Sequence, residues 1–182
     1  MPMIRATMVE QQREGRQRGE APEIAVLSDC RTQFEHEGLQ RLVMDLAIAC
    51  AAATQMFSAL SPLTPVELLK QFAAGTAVDE ALGQLKDGDV VWGYVPAMTR
   101  PLLEPGTKPG MDEVLFEIDH RYGFSASMDF IVALAYYAAA VARRLAEVIG
   151  GPVEQALVRL ERGTEPQWEA LDRYDTRSYA RR

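Results

Sequence analysis

The segment "MDEVLFEIDHRYGF", Met111 to Phe124, folds in two ways that lead to different proteins. As a strand it sets Glu113, Glu117 and Asp119 on one face against Val114, Phe116 and Ile118 on the other, an alternation that Leu115 spoils. As a helix it gathers Val114, Leu115, Ile118 and Tyr122 into one stripe and turns Glu113, Glu117 and His120 the same way. Local charges select the helix. Asp112 and Glu113 sit where a helix start favours anions, and His120 and Arg121 where its end favours cations. Gly123 then supplies a stop, with Ser125 or Ser127 opening the next helix.

Working outward, helix starts recur as a threonine followed three residues later by an acid or amide, which can satisfy exposed amide groups reciprocally. Thr32 with Glu35, Thr64 with Glu67 and Thr164 with Gln167 fit the pattern, and Thr76 with Asp79 is a weaker version. Pro65 suits the first helical position. Gly75, the Asp87–Gly88 pair, Gly150 with Gly151, and Gly163 read as stops. Helices are therefore expected near 33–60, 65–74, 77–86, 127–149, 153–162 and 165–175, besides the one over 112–121.

Two of these are apolar round most of their circumference: "LQRLVMDLAIACAAATQMFSAL" and "MDFIVALAYYAAAVARRLAEVI". On a soluble chain that means packing on several sides, and their alanines let backbones approach closely. The expected fold is mainly α: a single-domain helical bundle built round these two Ala-rich helices. "EIAVL" (Glu23–Leu27) and "DVVWGYV" (Asp89–Val95) have the β-branched and aromatic character of a small accessory β-pair. Residues 1–22 read as a disordered N-terminal extension, 23–163 as the helical domain, and 164–182 as a docking helix and tail. In that last helix Trp168, Leu171 and Tyr174 make an apolar stripe.

Composition narrows the function. At 182 residues the chain fills one core, and 48% hydrophobic with 25% charged residues argues against global disorder. The net charge of -7 is concentrated between residues 21 and 152, which carry nine bases against seventeen acids. That sign opposes nucleic-acid binding, which depends on clustered Lys and Arg. The run Leu46–Val66 holds no charge, yet Thr54, Gln55, Ser58, Ser61, Pro62 and Pro65 interrupt it, so a buried helix is expected there and no membrane partner. Cys30 and Cys50 form no CxxC pair, which suits a reducing cytoplasm. Glu117 and His120 have the ExxH spacing of bundle di-metal sites, but the second ExxH is missing, and the His/Cys set of a zinc site is missing too. Neither metal nor cofactor is expected.

Two functions from different classes are open, the first favoured narrowly because the acids, a histidine and the long loop converge in one short region. In the first, an enzyme or enzyme subunit uses Asp45, Glu113, Glu117 and His120 for acid–base chemistry on an amine-bearing small molecule. His120 is the group with the suitable intrinsic pKa, and Glu117 lies one turn away to orient it. Asp45 stands alone in "LVMDLAIACAAA" at the wall of the same cavity, or else pairs with Arg41 one turn before it. The proline-rich stretch "PAMTRPLLEPGTKPG" (Pro96–Gly110) reads as a long loop roofing the pocket. Trp92, Tyr94, Arg100 and Lys108 would line its mouth, with Arg41 also placed for binding. The bland alternative is a solvated helix face and a plain surface crossing. In the second, the chain is a non-catalytic helical interaction subunit of a homo- or hetero-oligomer, its Ala-rich helices and Trp168 helix completed by another chain.

Overall fold

A computed structural model describes Ile4, residues 22–74 and residues 88–164, with side chains from Leu39 in the first stretch and from Val90 in the second. Its helices, among the described residues, are α1 (Pro22–Ser58), α2 (Pro65–Ala74), α3 (Gly88–Trp92), α4 (Tyr94–Leu103), α5 (Met111–Ile149) and α6 (153–164). The mainly α expectation holds. The β-pair does not: Glu23–Leu27 and Asp89–Val95 are helical among the described residues, apart from a turn at Gly93. Val91 and Val95, four residues apart, are both fully buried, so helical spacing serves the core better than alternation would.

The two Ala-rich helices do pair. Ala47, Ala49, Cys50 and Ala53 of α1 and Ala133, Ala135, Ala138 and Ala139 of α5 belong to one buried cluster, where small side chains bring the two backbones together. The closeness shows in a side chain of one helix reaching the main chain of the other: Cys50 Sγ donates to the Leu134 carbonyl at 3.3 Å. Burial pushes that thiol's pKa far up. One turn on, Thr54 Oγ1 lies 2.9 Å from the Tyr137 hydroxyl. The Tyr137 ring meets Phe72 of α2 at 6.2 Å and Trp92 of α3 at 6.1 Å, so one side chain ties four helices. Trp92 Nε1 in turn donates to the Ala73 carbonyl at 2.8 Å, satisfying an acceptor that the end of α2 leaves open. The alanine surfaces are thus used inside this chain. The most apolar stretch of α5 is long enough to cross a membrane, and two-thirds of it is buried within the bundle.

Helix ends follow local chemistry. Thr64 and Glu67 form the expected reciprocal cap of α2, with Thr64 N–H to Glu67 Oε2 at 2.8 Å and Glu67 N–H to Thr64 Oγ1 at 3.3 Å. Gly150 ends α5 in the left-handed conformation (φ 64°, ψ 28°), and the following Gly151 N–H reaches back to the Ala146 carbonyl at 3.1 Å. Gly123 interrupts α5 at φ 78°, ψ 179°, a conformation essentially confined to glycine. The first half, 111–122, is therefore a helix of its own, set at an angle to the buried second half.

Other boundaries move. Among the described residues α1 already runs from Pro22, so Thr32 and Glu35 lie inside it rather than at its start. The expected loop from Pro96 is mostly helix: Pro96 sits in the first turn of α4, where an amide has no partner within the helix to lose. Pro101 falls near its end. The true crossing is residues 104–110. α6 continues through Gly163, and Thr164 Oγ1 turns back to the Leu160 and Glu161 carbonyls at 3.1 and 2.9 Å. Ile4, within the expected N-terminal extension, is fully buried in the core. Pro22, the last residue of that expected extension, is already in α1, while the rest of the extension, the helices expected at 77–86 and 165–175, and Trp168 lie outside the described residues.

Candidate functional site

The helix over 111–122 is anchored by Val114 and Ile118, both fully buried, with Leu115 half-buried beside them. Its opposite side carries Asp112, Phe116, Asp119 and His120, at positions i, i+4, i+7 and i+8, all exposed. Phe116 is 71% exposed, the highest value among the large apolar side chains of the described residues. The His120 ring lies parallel to it, with centroids 5.5 Å apart and planes 7° apart. Tyr122 and Phe124, on either side of the Gly123 break, are also exposed.

The two glutamates of the expected acid–base set have separate tasks. Glu113 caps the helix: its Oε2 accepts the Gly110 N–H at 2.8 Å, and its Oε1 lies 3.3 Å from Lys108 Nζ. The Gly110 amide first, then the lysine, hold the Glu113 carboxyl below the usual glutamate range. Glu117, half-buried, accepts the Tyr94 hydroxyl at 3.1 Å and Arg121 Nη1 at 2.9 Å. Tyr94 also meets the Tyr122 ring at 6.3 Å, edge to face. Desolvation, and then hydrogen bonds to Tyr122 and Glu117, raise the Tyr94 phenol, which stays a protonated donor. These contacts clasp α4 to the first half of α5.

Glu67 and Glu113 share a pH signature. Both carboxyls titrate lower in the folded chain than free glutamate does, because each accepts a backbone amide at a helix start. Their stabilisation is complete above the unfolded-state value and is lost as pH falls through the lower folded-state value. In urea unfolding across the acidic range, Glu113→Gln and Glu67→Gln will each flatten the fall in stability with decreasing pH. Curves parallel to the parent's would show that the caps do not act.

The remaining expected site residues lie on several helices. Trp92 packs beside Tyr137, with its indole N–H used by Ala73. Arg100 pairs with Glu104 at 3.0 Å on the surface of α4, while Lys108 pairs with Glu113. Asp45 is half-buried on α1, and Arg41 is exposed one turn before it. The structure therefore brings Tyr94 to Glu117 and Lys108 to Glu113. No group of three or more His, Cys, Asp or Glu placed to hold a metal occurs among the described residues.

Sequence reasoning missed the exposed aromatic shelf, although a signal was there: Phe116 falls off the stripe of Val114, Leu115, Ile118 and Tyr122. It also missed Asp129, a carboxylate only 5% exposed in the second half of α5. Compared with family models, curated proteins and solved structures, the chain matches none.

Proposed function

We propose that this chain is a non-catalytic helical interaction subunit that docks another chain on the Phe116–His120 face of the helix over 111–122. The observation that carries the reading is the stacked, solvent-facing ring pair. An aromatic side chain left in water forgoes roughly 1.5–3 kcal/mol of burial energy, and contiguous exposed apolar surface marks sites of association. The site lies on a helix whose inner face is fixed by Val114 and Ile118 and whose flank is clasped by Tyr94. A reducing cytosol is the proposed setting, in keeping with the buried thiol of Cys50.

Acid–base chemistry has one supporting observation, the half-buried Tyr94–Glu117 hydrogen bond with the exposed Arg121 beside it. Against it, Glu113 and Glu117 already serve as cap and clasp. Turnover of an amine substrate abolished by Glu117→Gln without loss of folding would favour that reading instead.

The direct test places the photo-crosslinker p-benzoylphenylalanine at position 116 of the full chain, with the same group at Val158, exposed on α6, as control. Irradiation of source cells expressing each variant should give a discrete higher-mass adduct from position 116 and none from 158. No adduct, or the same adducts from both positions, would overturn the reading.

A further inference from the structure

Building on the docking face proposed above, we infer that the segment bound there is cationic: two Lys or Arg side chains one heptad apart, flanking a bulky apolar residue. Nearby charges on the helix over 111–122 sort into two groups. Glu113 is paired with Lys108, and Glu117 with Arg121. Asp112 and Asp119 are exposed and, among the described residues, have no ion-pair partner.

These two aspartates bracket Phe116 on the same side of the helix. Seven residues at 1.5 Å rise place them about 10 Å apart along the axis, with the aromatic shelf between them. A facing helix with basic residues seven positions apart matches that spacing. An apolar side chain between the cations would lie on the Phe116 ring, and a guanidinium or ammonium could also approach the ring face. The acidic middle of the chain, with nine bases against seventeen acids over residues 21–152, adds long-range attraction for a basic partner. A second copy of this face would set Asp112 and Asp119 against acids of their own kind in an antiparallel dimer, which argues for a different chain.

The test uses the full-length protein and two synthetic helical peptides, one with Lys at i and i+7 around a central Leu, the other with Glu replacing both lysines. Fluorescence anisotropy should show binding of the lysine peptide alone, weakened roughly tenfold or more in Asp112→Asn/Asp119→Asn, an effect that added salt diminishes. Phe116→Ala should weaken the same peptide at every salt concentration. Equal binding of both peptides, or lysine-peptide binding that the double substitution leaves unchanged, would overturn the cationic inference. So would absence of peptide binding alongside a specific adduct from position 116, which leaves the docking face intact. Loss of that adduct would bring down the docking face itself.

Discussion

Tyr137→Ala should be the most damaging single truncation in this chain, lowering unfolding free energy by about 3–5 kcal/mol in urea titration. The ring is almost fully buried and its side chain meets Thr54, Phe72 and Trp92, so the void opens where α1, α2, α3 and α5 converge. Its hydroxyl gives a finer test. Thr54 Oγ1 donates its single proton to the Cys50 carbonyl at 2.7 Å, which leaves Tyr137 as donor in the 2.9 Å contact between the two hydroxyls. Tyr137→Phe removes a donor whose acceptor keeps another bond and should cost about 0.5–1.5 kcal/mol. Thr54→Val strands the buried phenol and should cost more, about 1–3 kcal/mol. The reverse order would mean that the proton runs the other way.

Gly123→Ala should cost roughly 1–3 kcal/mol by conformational strain alone. A Cβ there would meet nothing within 4 Å, so no clash contributes. The positive φ and extended ψ are what a side chain disfavours. Comparison with Gly150 separates two kinds of glycine. Gly150 is left-handed helical, a conformation asparagine tolerates, so Gly150→Asn should be milder than Gly150→Ala. At Gly123 asparagine should be no better than alanine. A neutral Gly123→Ala in equilibrium unfolding would show that the two halves of α5 are free to straighten.

Why some elements could be read from sequence and others not comes down to how local the governing interaction is. Thr64 with Glu67, Gly123 and Gly150 act on their own backbone, and each marks a boundary found in the structure. The pairing of the Ala-rich helices was legible for a related reason, since a helix apolar all round has to be enclosed. Thr32 with Glu35 misled because the same residues fit inside a helix as well as at its start. Asp89–Val95 misled because the burial of Val91 and Val95 overrides β propensity. The proline-rich stretch reads as a loop on proline count, yet Pro96, in the first turn of α4, lacks only an amide that has no partner within the helix. At the site, the helix over 111–122 and the alignment of its acids followed from periodicity. Glu113 could have been recognised as a cap by counting back three residues to Gly110. The Tyr94–Glu117 contact could not, because it joins residues 23 apart through tertiary packing.

The burial of Cys50 has a consequence for chemical probing. A thiol shut in the seam between α1 and α5 and kept protonated at neutral pH is a poor nucleophile, since the thiolate is the attacking species. Alkylating reagents reach it only when those helices part, so the rate at which Cys50 is modified measures how often the bundle opens.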